Sequence, residues 1–393
     1  MSFDFGIVCA KDLELAAAEL AFGATPGRAK EKGLLVCMIA GSSGELRGVL
    51  APTTKQRELS TAAAAMRLIK DHGVRLVLMT GVAAGVPAPR KPDDHVRLGD
   101  VVVADSVVKF DEVKLKDGVP EYRGTTPLPD SQTLRAAKML ISHYLASREA
   151  PWQSVIDAAV ARNPAFARPD AGSDDGFRLD GSGRRGKHPT QIDRISGQPL
   201  PRAGAVGSSA ALMKDARRRN ALAVKHGLSA IEMEAAGLAS GAWEEGASYL
   251  FVKGICDYGD RDKQDLWQRY AALVSAAFAR SVLETALEPH PKAFAPAADP
   301  EASARATGSP AVTTSAIARA ERIERLRRTI ARMTSSRFEQ LKLLLDAHRE
   351  GFDCEGGPAR CAVALIAWAE SGPGLASLEA TLQGMQQTDE AHR

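Results

Sequence analysis

The stretch Ala230-Ile231-Glu232-Met233-Glu234 sets a carboxylate on either side of a methionine. In a strand, Glu232 and Glu234 would share one face. A carboxylate there can accept hydrogen bonds from both hydroxyls of a ribose, and the polarizable side chain of Met233 can pack on the sugar or base. The same two glutamates would equally suit the first turn of a helix, where negative charge complements the dipole. In Phe251-Val252-Lys253-Gly254-Ile255-Cys256-Asp257-Tyr258, an apolar run delivers Asp257 at its carboxyl end. That is where α/β sheets bind ligands. A partly buried carboxylic acid can protonate the ring nitrogen of a purine leaving group, although Asp is also a common helix cap. Within Lys11-Asp12-Leu13-Glu14, Glu14 could hold and activate water, or be an ordinary surface residue in a first helical turn. Gly81-Val82-Ala83-Ala84-Gly85 would let a ligand approach the backbone closely, or simply join a strand to a helix; a lone glycine pattern is a weak signal.

The elements that must carry these residues read as α/β. Strands are expected over Phe3–Ala10, Leu34–Ile39, Val74–Thr80, Val101–Ala104, Ala230–Met233 and Leu250–Ile255. Helical patterns cover Leu13–Leu20, Leu59–Lys70, Glu234–Glu245 and Leu266–Leu287. Continuous apolar strands interleaved with helices imply a largely buried sheet. Residues 163–203, rich in Gly, Pro, Asp and Arg, show no period and read as an insertion or long functional loop. The Pro/Ala/Ser/Thr-rich stretch 291–314 has linker composition. Beyond it, at 315–393, the pattern is helical only. Ile317, Ile323, Leu326, Ile330 and Met333 mark one helix, and Phe338, Leu341, Leu344 and Leu345 a second. Cys361, Ala364, Leu365 and Trp368 mark a third, and Leu375, Leu378, Leu382 and Met385 a fourth, with Gly-Pro punctuation between them.

The 393 residues suffice for two domains, and 45% hydrophobic with 25% charged content is that of an ordinary globular chain. Five cysteines without metal-ligand spacing imply reduced thiols and no structural zinc. The first residues lack the basic and apolar segments of a signal peptide, and no apolar run nears the ~20 residues that span a bilayer. A cytoplasmic location is therefore expected, without membrane or, at a net charge of +3, nucleic-acid partners.

Together the motifs resemble the nucleoside phosphorylase/nucleosidase superfamily, and within it the methylthioadenosine/S-adenosylhomocysteine nucleosidases. The likeness rests on Gly6-Ile7-Val8-Cys9-Ala10 with Glu14, on Thr80 to Gly85, on Leu98-Gly99-Asp100-Val101-Val102-Val103, on Ile231 to Ala236, and on Lys253 to Asp257. It implies a mixed-sheet, three-layer α/β domain over residues 1–290, dimeric or larger, followed here by a small all-α bundle. It also implies that Glu14 activates water, that Asp257 protonates purine N7, and that Met233 and Glu234 contact the ribose. Leu212 would cover the purine and Ala84 touch the base. No metal or organic cofactor is implied. Phosphorylases of the superfamily carry an arginine just before the glycine segment, where Leu78-Met79-Thr80 stand here. Burying phosphate without such a cation is costly, which favours water as nucleophile.

Val82 and Cys256 stand where the nucleosidases usually have serine, and Gly207-Ser208-Ser209-Ala210 is a loose version of the loop before Leu212. These departures bear on substrate identity. Arg184, Arg185, Lys187, His188 and Arg194 of the insertion read either as a phosphate grip for a nucleotide or as a solvated basic loop, and Arg217-Arg218-Arg219 as a surface run. Residues Ala359 to Glu370 and Leu375 to Leu382 resemble the effector-associated, death-like helical domains of bacterial conflict systems, which recruit partners by like-with-like contact. The expected activity is hydrolysis of an adenine nucleoside or nucleotide by an effector. Phosphorolysis, or a silent sensor signalling through the tail, are the competing expectations.

Overall fold

The computed structural model describes residues 3–27, 33–42, 44–116 and 119–286, together with 325–327, 329–330, 333–345, 361–362, 365–366, 369, 377–383 and 385. The chain divides into two compact units, Met1–Ala293 and Phe294–Arg393.

In the first unit the elements run β1 (Phe5–Cys9), α1 (Asp12–Phe22), β2 (Thr25–Pro26), β3 (Leu35–Gly41), β4 (Gly44–Pro52), α2 (Glu58–His72), β5 (Leu76–Gly85) and β6 (Val101–Lys116). They continue through β7 (Val119–Thr125), α3 (Ser131–Ser147), α4 (Pro151–Arg162), β8 (Phe177–Arg178), β9 (Arg185–Gly186) and β10 (Pro201–Ser208). The last are α5 (Ala216–His226), β11 (Leu228–Glu232), α6 (Ala235–Glu244), β12 (Ser248–Asp257) and α7 (Gln268–Ala286).

The large sheet is mixed, in the order β11-β10-β6-β12-β5-β1-β4-β3-β2, with β7 paired to β6. Pairs β1–β4, β1–β5, β5–β12, β6–β10 and β10–β11 are parallel. The β6–β12 pair is antiparallel, as is a further pairing of β11 back to β5, which closes five strands into a barrel. Strands β1, β5 and β12 are almost wholly buried, as continuous apolar runs require when helices cover both faces. One group of helices, α1, α3 and α4, packs on α7, which itself lies against β12 and β5; the other pairs α2 with α6. The contact between α7 and β12 is backbone to backbone. A Cβ on Gly254 would lie 1.9 Å from the Ala271 carbonyl oxygen, so only glycine fits there.

Several sequence expectations are corrected. β5 does not stop at Thr80 but runs on through Gly81 to Gly85, because those residues pair with β12 and β11. Strand β11 ends at Glu232, so Glu232 and Glu234 do not share a strand face; Glu234 caps α6. The 163–203 insertion is not structureless. It contains short 3-10 turns at Pro164–Phe166 and Ala171–Ser173 and the β8–β9 hairpin, and its end enters β10. Arg219 is not on the surface: it is 1% exposed and donates to the Tyr258 and Arg178 carbonyls.

In the second unit, α8 (Ser335–Leu344) and further helical residues build a core of Leu326, Ile330, Phe338, Leu341, Leu345, Cys361, Leu365, Leu378, Leu382 and Met385. Leu344 is exposed, outside the stripe expected for it. Cys361 is disulfide-bonded, against the expectation of reduced thiols throughout, whereas Cys9, Cys37 and Cys256 are free. Ile317, Ile323, Ala364, Trp368, Leu375 and the linker 291–314 also lie outside the described residues.

Candidate active site

The carboxyl ends of β1, β5, β11 and β12 converge on a cavity of about 750 Å3, and Glu14, Ala84, Leu212, Met233, Glu234 and Asp257 all line it. This volume lies within the roughly 300–1,000 Å3 typical of small-molecule sites.

Glu14 is in the first turn of α1 and is buried. Its Oε2 accepts from the Ala10 and Lys11 amides at 2.9 and 3.1 Å, and its Oε1 from the Val82 amide at 2.9 Å. The carboxylate can reach β5 only because position 81 is glycine. A Cβ there would sit 2.4 Å from Oε1, and its φ of +146° is one that other residues rarely adopt. What the sequence offered as a turn is thus a strand segment, which admits a neighbouring carboxylate at Gly81 and lines the cavity with Val82, Ala83 and Ala84.

The two glutamates around Met233 have separate tasks. Glu232 turns back on the chain: its oxygens accept from the Glu234 and Ala235 amides at 2.9 Å, satisfying the start of α6. Glu234 leaves its carboxyl group in the cavity, 7% exposed. Burial, and then the charge of Glu232, push its pKa up to about 7. Met233, between them, is half-buried on the cavity wall.

Asp257 ends β12 and is buried. Its Oδ1 accepts from the Gly259 amide at 2.7 Å; its Oδ2 accepts from Lys263 Nζ at 2.6 Å and from the Cys256 thiol at 3.2 Å. It does not cap α7, whose Gln268 amides bond to Asp265 instead. Burial works against the Lys263 charge, yet Asp257 outweighs it and raises that ammonium above the usual lysine range. Ala84 is the cross-strand neighbour of both Asp257 and Ile231. Leu212 is 53% exposed and forms part of the wall without closing over it. Behind this end, Val86, Phe110, Met213, Leu222, Leu228 and Ile231 make a small separate core that seats the segment.

Lys263, Gln268 and Arg269 carried no role in the sequence reading, and neither did a buried lysine beneath the cavity. Lys253 is completely buried, with its Nζ 3.7 Å from Glu232 Oε2. Burial opposes its charge, but Glu232, Glu14 and Glu234 outweigh it and hold the ammonium above the ordinary lysine range. One cation thus gathers the negative charge under the cavity floor. The available signal was a lysine inside an apolar run, which a buried strand tolerates only with carboxylate partners.

The basic residues of the insertion do not line the cavity. Arg194 forms a two-pronged bond with Asp100 at 2.9 and 2.6 Å, Arg184 pairs with Asp180, and Arg185 pairs with Asp175 and Asp262. His188 is buried between His95 (2.8 Å) and Asp174 (3.0 Å). The Ala88 amide donates to His95 Nδ1, so His95 Nε2 carries a hydrogen and donates to His188 Nδ1; His188 Nε2 then donates to Asp174. Tyr258, the residue after Asp257, also donates to Asp174, at 2.6 Å. These side chains fasten the insertion beside the site, and the phosphate grip read from them is not built.

The sequence model of the phosphorylase superfamily matches residues 5–288. A nucleotide-binding leucine-rich repeat (NLR)-like protein of Hyaloscypha variabilis is 30% identical over 73% of this chain and 30% of its own length. The ATP nucleosidase Cap17 of Escherichia coli is 22% identical over 71% of this chain and 50% of its own. The chain therefore spans half or less of the length of these curated relatives. Among solved structures, the Helicobacter pylori 5′-methylthioadenosine/S-adenosylhomocysteine nucleosidase is 17% identical, covering 72% of this chain and 99% of that one, with a TM-score of 0.48. Futalosine hydrolase of the same organism gives 18%, 72%, 98% and 0.47. With the family match spanning the barrel and every strand that reaches the cavity, the chain belongs to the phosphorylase superfamily.

Proposed function

We propose that the chain hydrolyses the N-glycosidic bond of an adenine nucleoside or nucleotide. The observation that carries this reading is the meeting of Glu14, Glu234 and Asp257, from three separate elements, in one cavity. The C1′–N9 bond breaks through an oxocarbenium-like state, as in glycoside hydrolysis. Its electron pair goes to the purine, and N7 takes a proton by way of Asp257. Lys263, which donates to Oδ2, holds that carboxylate in place. Glu234 accepts from the ribose 2′ and 3′ hydroxyls, and its charge stabilises the cationic sugar. Water adds to C1′ and yields its proton to Glu14. Met233, Ala84 and Leu212 supply the contacts to sugar and base. No residue of this scheme calls for a metal or organic cofactor.

The wider reading is an effector of a bacterial defence or signalling system, cytoplasmic and homodimeric or larger, whose residues 315–393 recruit a protein partner. The names of the relatives support it, as does the second compact unit. Among the described residues no helix is long and apolar enough to cross a membrane.

The test is to incubate the full chain with methylthioadenosine, S-adenosylhomocysteine, adenosine, AMP and ATP, with and without phosphate, and to follow free adenine. Release without phosphate is expected. Strict phosphate dependence would replace hydrolysis by phosphorolysis. Tight binding without turnover would indicate a sensor.

A further inference from the structure

We infer that Lys11, Gln268 and Arg269 form a subsite for the 5′-phosphates of a nucleoside polyphosphate at one edge of the cavity. This rests on the proposed N-glycosidase reading, because the orientation of the ligand is taken from it.

Asp257 and Ala84 define the base end of the cavity, Glu234 and Met233 the ribose, and Glu14 the attacking water. The 5′ substituent is left to the lining that these roles do not use. Lys11 and Gln268 meet there, with Lys11 Nζ 3.4 Å from Gln268 Oε1, although they are 257 positions apart in sequence. One comes from the β1–α1 junction and the other from the first residue of α7. Arg269 lines the same edge, its guanidinium 5.5 Å from the centre of the Phe166 ring.

The disposition of charge separates this edge from the rest of the lining. Glu14 is bonded to amides, Glu232 to amides and Lys253, Asp257 to Lys263, and Asp265 to Gln268. Lys11 and Arg269, by contrast, are in no ion pair with a carboxylate among the described residues; both line the cavity, Arg269 from its exposed rim over Phe166, and the exposed carboxylate of Asp12 beside Lys11 lines it too. A bare 5′-thioether or hydroxyl would give these cations nothing to bind. A phosphate chain offers them several anionic oxygens, and the Gln268 amide group a further acceptor. Arg184, Arg185 and Arg194 of the insertion have no such freedom, since carboxylates already hold them. The nucleotide-binding role therefore falls to this edge.

The experiment compares ATP with adenosine as substrates of the full chain, in the wild type and in Lys11→Gln, Arg269→Gln and the double variant. Loss of one charge-assisted contact is expected to lower the ATP-to-adenosine ratio of kcat/KM by about 10- to 100-fold, and loss of both by more. The ATP KM should carry the change and rise with salt. Arg269→Lys should recover part of the preference, which a merely structural role would not produce. A wild-type ratio at or below one, or a ratio unmoved in the double variant, overturns the subsite. If neither compound releases base, the hydrolytic reading has failed, and calorimetry with inorganic tripolyphosphate judges the subsite separately. Binding by the wild type that is lost in the double variant supports it; no binding by the wild type overturns it.

Discussion

The insertion and the cavity both carry many charges, and they dispose of them in opposite ways. In the insertion the best-buried groups meet partners of matching geometry: Arg194 forks onto Asp100, and Asp174 accepts from His188 and Tyr258. In the cavity Glu234 is buried and repelled by Glu232, and among the described residues neither it, Lys11 nor Arg269 is in an ion pair. Satisfied charges fix a segment in place. Unsatisfied ones raise the energy of the empty site and become favourable only with a ligand. The contrast also says why a cluster of basic residues is a poor guide to phosphate: what matters is whether a carboxylate already occupies them.

Substitutions on each side should break in different observables. The largest effect is expected from Asp257→Asn and Glu234→Gln, each losing about 10²–10⁴-fold in kcat/KM, the usual contribution of a positioned acid or base. Circular dichroism should show both folded; full activity in either would remove that residue from the mechanism. Next is Arg194→Ala, which strands Asp100 at 0% exposure and should cost about 3–5 kcal/mol in urea unfolding, as for a broken buried pair. Arg184→Ala, at a pair with an arginine 73% exposed, should cost at most about 1 kcal/mol.

Two titrations sharpen the comparison with opposite signs. Burial and the neighbouring His188 lower His95 to about 3. Its neutral form thus supports the fold above pH 6.5, and stability should fall as pH drops from 6.5 towards 3. His95→Gln should flatten that part of the profile. Glu234, raised to about 7, behaves conversely. The folded state holds its proton more tightly than the unfolded chain, so that contribution is complete below about pH 4.5 and is lost as pH rises through about 7. Thermal midpoints of Glu234→Gln against pH should lack this second decline.

How much of this was legible in the sequence depended on what each residue answers to. The cores of β1, β5 and β12 could be read because burial on both faces leaves an uninterrupted apolar run. β10 could not: its Pro201-Arg202-Ala203-Gly204-Ala205-Val206-Gly207-Ser208 is small and partly polar, and is strand because β6 and β11 flank it. Helix α5 has three arginines directly after its first residue, and its inward residue Arg219 is fixed by carbonyls more than 35 positions away. The division of labour between Glu232 and Glu234 was equally hidden, since it turns on where β11 ends by a single residue. Glu14, Glu234 and Asp257 could be picked out by type and position, but their common cavity arises from crossovers that no local pattern records.

The return pairing of β11 onto β5 has a consequence for selectivity. Ala84 lies with Asp257 on one neighbouring strand and Ile231 on the other, so the Asp257 carboxylate and the segment leading into Met233 and Glu234 are set on the two flanks of β5. Because the ring of strands is closed, neither flank can spread without parting a ladder. The site acts as a fixed gauge set by backbone rather than by side chains. Substitutions in its walls change the side chains at the open edge, while the span between its two flanks stays the same.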